Sequence, residues 1–164
     1  MKKLFSGCIL VTLTVLLTGC GKVDVTDYND KLVEFTDKCF TAEALMQSAL
    51  QQENYAYVKE LHTTALETCT AMQKETVALE AYKNDTSFRN ATDTLLQALI
   101  SYLQKFGELF PYRENTVWTP EQETAYITLE KELGELEKNL QTLNKELEEV
   151  QKTFATTYGY EIEE

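Results

Sequence analysis

The chain predicts an all-α protein, an antiparallel up-down-up-down four-helix bundle with a long C-terminal helix. Three observations carry that expectation. Apolar residues recur at spacings of three and four over four long stretches, and almost nothing alternates with a period of two. Proline, glycine and cap-forming residues fall between those stretches.

The first helix is expected over about 26–51. Tyr28, Leu32, Phe35, Cys39, Ala42, Leu45 or Met46, and Ala49 share one face, with Thr26 or Asp27 as the cap. Gln51-Gln52-Glu53-Asn54 breaks the pattern, and Asn54 can cap a second helix over about 54–82. Its inward face is Val58, Leu61, Ala65, Cys69, Met72, Thr76 and Leu79. Lys83-Asn84-Asp85-Thr86 is a turn whose Asp85 or Thr86 caps a third helix, over about 86–110. There Phe88, Thr92, Leu95, Leu99, Tyr102, Phe106 and Leu109 recur at strict 4-3 spacing, and Pro111 is expected to end the helix. After a loop from Tyr112 to Trp118, Thr119-Pro120-Glu121-Gln122 is a well-formed start: threonine cap, proline in the first turn, and Gln122 placed for a capping box.

The fourth helix is expected over about 120–158, with Gly159 as its stop. Tyr126, Leu129, Leu133, Leu136, Leu140, Leu143, Leu147, Val150 and Phe154 keep a heptad pattern that argues coiled-coil-like packing. The partner is either a second chain or the other helices. Because those carry comparable stripes, the intramolecular bundle, and hence a monomer, is the simpler solution. At ~1.5 Å per residue the fourth helix is about 58 Å long against about 38 Å for a 25-residue neighbour, so part of it must overhang.

Cys39 and Cys69 lie fifteen residues either side of Asn54, which puts them level on antiparallel helices. A structural disulfide is expected there, with two buried free thiols as the alternative. The same topology gathers Tyr28, Tyr82, Tyr158 and Tyr160 at one end of the bundle. Tyr55, Tyr57, Tyr112 and Trp118 gather at the other. Aromatic rings at loop ends serve as packing plugs, or form a partner-binding patch, and the second set is the candidate patch.

The N-terminus opens with Met1-Lys2-Lys3, then an apolar run of about 14 residues from Leu4 to Leu17, then Thr18-Gly19-Cys20. A cationic start, a short apolar run and small residues describe a secretory signal, and the run is below the roughly 18–20 residues a membrane span needs. Leu17-Thr18-Gly19-Cys20 resembles the lipobox of bacterial lipoproteins. The resemblance implies cleavage before Cys20, acylation of Cys20 (palmitate among the acyl chains) and membrane attachment through that lipid. Residues 1–19 would then be a discarded signal peptide and 20–25 a short tether. Gly21 is not the aspartate that retains such proteins in an inner membrane, so the resemblance implies the outer membrane, with the body on the periplasmic or cell-surface face. An ordinary secretory signal and a retained membrane helix are the alternatives.

Of 164 residues, 15 are basic and 27 acidic, a net charge of −12, and removing Lys2 and Lys3 with the leader takes it to −14. Such a surface repels nucleic acid and anionic headgroups, so neither is an expected partner. The 145 residues left after the first 19 of 164 suit one domain.

No catalytic constellation is legible. His62 is the single histidine; its neighbours Lys59, Glu60 and Thr63 suggest a solvent edge, and Glu-x-x-His is absent. Neither phosphate-binding glycine motif occurs, and Gly107 and Gly134 read as sites of close packing. The glutamates of the last helix alternate with Lys131, Lys138, Lys145 and Lys152 as a solvated face, and Glu161, Glu163 and Glu164 close an acidic tail. The expectation is no enzyme, no cofactor and no metal.

Ala81-Tyr82-Lys83-Asn84-Asp85-Thr86-Ser87-Phe88-Arg89 and the tail Gln151–Gly159 are similar to segments of an uncharacterised family of helical bacterial surface lipoproteins. Members place Asp-Thr-x-Phe-(Arg/Lys) between two helix pairs, so the resemblance implies fold and no activity. The expected function is a non-catalytic binding or scaffolding module of the cell envelope that engages another envelope protein. A periplasmic chaperone-like or assembly factor is the alternative.

Overall fold

Capping chemistry decides where each helix of the computed structural model begins and ends; it describes residues 24–114 and 117–162. The expected signal peptide and Cys20 lie outside the described residues. Asp24, rather than Thr26 or Asp27, opens α1 (Val25–Gln51): its carboxylate accepts from the Thr26 N–H at 2.9 Å. Glu53 turns the chain with φ 57°, and Asn54 then caps α2 (Tyr55–Ala78) by accepting from the Tyr57 N–H. α2 stops at Ala78, short of the expected 82, because Leu79 turns extended and the Arg89 guanidinium donates to its carbonyl at 2.8 Å. Tyr82 to Asp85 forms a tight turn, with Lys83 and Asn84 at positive φ and the Asp85 N–H on the Tyr82 carbonyl.

Asp85 also starts α3 (Ser87–Gly107), accepting from the Ser87 N–H at 2.8 Å, whereas Thr86 makes no capping bond. Pro111 does not end α3. The helix closes at Gly107, and Pro111 enters the first turn of a short α4 (Phe110–Glu114), where a missing N–H leaves no helical bond unmade. α5 (Pro120–Tyr158) has the full capping box between Thr119 and Gln122, and ends at Gly159 in the left-handed region, φ 73°.

The described residues form an all-helical fold, and the only extended pairing among them is the Tyr82–Asp85 bridge. α1 packs on α2, α2 on α3, and α3 on α5, with a smaller contact of α1 on α3. Gln73 meets Asp93 while His62 meets Leu103, so α2 and α3 run in opposite senses. Lys105 with Glu132 and Phe88 with Phe154 give the same relation for α3 and α5. The stripes fill the core: Leu32, Phe35, Cys39 and Met46 from α1, Val58, Ala65, Cys69 and Thr76 from α2, and Leu129, Leu133, Leu140, Leu147 and Phe154 from α5. Between the two candidates in α1 it is Met46 that is buried, and Leu45 is 55% exposed.

α3 buries more than its stripe, adding Leu96 and Leu103, because it lies against three helices. α5 buries less, with Tyr126, Leu136, Leu143 and Val150 only half-covered. α1 and α5 draw together at one end. Buried Asn29 accepts there from Gln151 Nε2 and Tyr160 Oη, both at 2.8 Å, and Tyr28 lies 5.7 Å from the Phe154 ring. Phe154 is the hub of that end, with Tyr82, Phe88, Tyr158 and Tyr160 also within 6.3 Å. Lys83 Nζ sits 5.1 Å from both the Tyr82 and Tyr158 ring centres.

Phe154→Ala opens a cavity among these rings and is expected to cost about 3–5 kcal/mol, read as a lowered urea midpoint with an unchanged slope. A loss below about 1 kcal/mol would show that the end is not packed around this ring.

Candidate functional site

The candidate patch residues are divided by the structure. α4 folds Tyr112 back so that Tyr112, Trp118 and Tyr126 form a ring cluster, with centroids 5.9 Å apart for Tyr112–Trp118, 5.6 Å for Tyr112–Tyr126 and 4.7 Å for Trp118–Tyr126. The indole N–H donates to the Tyr112 carbonyl at 3.2 Å. Tyr126 had been assigned only to the core stripe, and it props the first turns of α5 where they run past the end of α3. Tyr55 is half-buried near Tyr126, while Tyr57 is 47% exposed on α2 and makes no ring contact among the described residues. Val117 and Ile127 are also exposed at this end.

Cys39 and Cys69 are brought together as expected, fully buried and in hydrogen-bonding contact, but they stand as free thiols and not as the expected disulfide. Hydrogen bonding to Cys69, then burial, push the Cys39 thiol well up, while the hydrogen bond from Cys39 pulls the Cys69 thiol down.

His62 is not at a solvent edge. Its ring lies half-buried on α3, stacked 6.2 Å from Phe106 and edge-on to Phe110 at 5.1 Å, with Nε2 2.7 Å from the Leu103 carbonyl. That bond requires Nε2 to carry a hydrogen, since a carbonyl only accepts. Gly107 makes the approach possible: a Cβ there would sit 3.0 Å from His62 Cε1 and 3.2 Å from Nε2. Gly134 differs from expectation, because a side chain there would meet open space.

One feature escaped sequence reasoning. Away from the Asn29 end, α1 and α5 stand apart, and a cleft of about 490 Å³ opens between them over α3. Leu99, Leu140 and Tyr102 are its buried floor; Phe40, Glu43 and Gln47 line it from α1, and Glu137, Gln141 and Asn144 from α5. Gln47 Nε2 donates to Tyr102 Oη at 2.8 Å and Gln47 also hydrogen-bonds Glu43. Burial, with Glu137 facing it, raises the Glu43 carboxyl above its ordinary value, against the pull of Gln47. Burial, then Glu43 and Glu137, push the Tyr102 hydroxyl up to about 12. No local pattern in the sequence announces it, because its lining comes from three helices.

Among the described residues no group of three or more His, Cys, Asp or Glu side chains is arranged to hold a metal ion. Nor is any described helix long and apolar enough to cross a membrane. Compared with family models, with curated proteins and with solved structures, the chain matches none.

The two glycines give opposed expectations. Gly134→Ala gains helix propensity in open space and should stabilise by about 0.5–1 kcal/mol. Gly107→Ala must displace His62 from Leu103 and should destabilise by about 1 kcal/mol. Thermal midpoints moving in the same direction for both would refute the close approach of His62.

Proposed function

We propose that this chain is a lipid-anchored bacterial lipoprotein whose body, an up-down-up-down four-helix bundle, is a non-catalytic binding or scaffolding module of the cell envelope. The observation that carries the reading is the order Leu17-Thr18-Gly19-Cys20, four residues before the Asp24 cap of α1. So short a tether holds the body against the bilayer. Acyl chains supply the affinity, at ~0.8 kcal/mol per buried methylene. The similarity of Ala81–Arg89 and Gln151–Gly159 to helical bacterial surface lipoproteins supports the same reading, and Gly21 favours the outer membrane.

In this arrangement the Asn29–Phe154 end faces the membrane and the Tyr112–Trp118–Tyr126 end faces away. The distal end, with Tyr57, Val117 and Ile127 exposed, is the surface offered to another envelope protein, since exposed aromatic and apolar side chains are what protein interfaces recruit. The exposed apolar residues beside an overhanging helix also favour the second reading, a chaperone-like or assembly factor. In the oxidising envelope Cys39 and Cys69 would close to a disulfide, losing two hydrogens to a periplasmic thiol oxidant. On the chain-entropy description a loop of this length contributes ~3–4 kcal/mol.

Labelled palmitate should enter the wild-type protein and be lost in Cys20→Ser, with the chain moving from the membrane to the soluble fraction; label retained in Cys20→Ser would overturn the anchor. Crosslinking in cells should capture a specific envelope protein, and Tyr57→Ala or Trp118→Ala should release it. Suppression of aggregation across unrelated unfolded proteins would instead favour the chaperone reading. Protein isolated in acid, without thiol reagents, should be about 2 Da lighter than after reduction, and equal masses would leave the thiols free.

A further inference from the structure

We infer that the Cys39–Cys69 pair is a redox latch on α1: as free thiols it lets α1 undock from α2 ahead of global unfolding, and as a disulfide it holds α1 down. The inference rests on the disulfide proposed above and is independent of the anchor and of the distal patch.

α1 has one long partner. It packs along α2, makes a smaller contact with α3, and parts from α5 along the cleft. Its ties to α5 lie at its first turns, where Asn29 accepts from Gln151 and Tyr160 and Tyr28 meets Phe154. α2, by contrast, is held from both sides, by α1 and by α3, and α3 packs on three helices. Releasing α1 therefore leaves α2, α3 and α5 packed in sequence, whereas releasing α2 or α3 dismantles the core. Elements with few partners are the ones that open ahead of the whole.

The thiols sit where a cross-link has most leverage over that motion. Cys39 falls near the middle of α1 (Val25–Gln51), fully buried and in contact with Cys69 of α2. The pair lies inside the α1–α2 hairpin, so the bond leaves the α2–α3 and α3–α5 contacts as they are. Closing it removes one hydrogen from each thiol and forms the S–S bond, while a disulfide oxidant takes up both hydrogens and becomes a dithiol. α1 can then no longer leave α2 as a helix. It can only unravel about a fixed centre, with the fifteen residues from Cys39 to Asn54 closed into a loop, which costs entropy. The undocked state bares the inward face of α2 around Val58 and Ala65, a surface that oxidation hides from other chains.

Native-state hydrogen exchange on the full-length protein in detergent tests this, with the protein reduced or treated with diamide, whose N=N bond takes up the two hydrogens. Peptide mapping reports which cysteines are joined. In the reduced protein the α1 amides from Leu32 to Ala49 should exchange about ten-fold or more faster than those of α3 from Leu95 to Leu103, with a smaller urea dependence. A thiol reagent should label Cys39 and Cys69 with the same small urea dependence, since both emerge when α1 leaves α2. Joining Cys39 to Cys69 should slow α1 exchange by about ten- to a hundred-fold. In Cys39→Ala, diamide should change nothing in α1. The latch is overturned if α1 and α3 of the reduced protein share one protection and one urea slope, which makes the pair a staple against global unfolding only. It is overturned also if the bond forms and α1 exchange is unchanged. Failure of diamide to join the two cysteines would overturn the latch and the disulfide together.

Discussion

α3 is the shared wall of this protein. Phe88, Leu95, Leu96, Leu99 and Leu103 are each essentially withdrawn from water, and they achieve this only because α2, α5 and part of α1 close on them from different sides. Each such side chain contributes roughly 1.5–3 kcal/mol when fully buried, so the α3 face is the largest single reservoir of stabilisation. The other helices are held chiefly through it or through one neighbour: α1 leans on α2, and α5 leans on α3. A helix that serves three partners must be apolar around more than half its circumference, and the adjacent pair Leu95–Leu96 does this.

That arrangement explains why the two ends of α5 differ. Its C-terminal turns are locked by Phe154, Gln151 and Tyr160 against both α1 and α3. Its middle has α3 on one side and the cleft on the other, which leaves Leu136, Leu143 and Val150 half-covered although their heptad positions are as apolar as the rest. Its first turns pass beyond Gly107 and would stand in solvent without α4, which returns Tyr112 to meet Tyr126. One continuous stripe in the sequence thus has three different environments.

Much of this was legible in the residues. Four stretches of 3-4 spacing gave four long helices, and the Thr119–Gln122 capping box, the Asn54 cap, the Gly159 stop and the level placement of Cys39 and Cys69 all follow from local rules. What was not legible depends on who the neighbour is. Leu45 and Met46 both suit an apolar stripe, and only the placement of the neighbouring helices buries Met46 and leaves Leu45 exposed. Pro111 forbids little when the chain has already left α3, so it starts a helix where it was expected to end one. His62 looked solvated from its sequence neighbours, and its true partners, Leu103 and Gly107, are some forty residues away. The cleft is of the same kind: Glu43, Tyr102 and Glu137 belong to three helices, and no local pattern announces that α1 and α5 part there.

The chain's one tryptophan is Trp118, and it sits beside two tyrosines at the junction of α4 and α5. Ultraviolet light absorbed by Tyr112 and Tyr126 therefore reaches an indole only a few ångströms away, while the tyrosines around Phe154 occupy the opposite end of the molecule. Emission from this protein is a local signal by construction. It registers loosening or occupation of the α4–α5 junction before, and separately from, the melting of the helices that circular dichroism records.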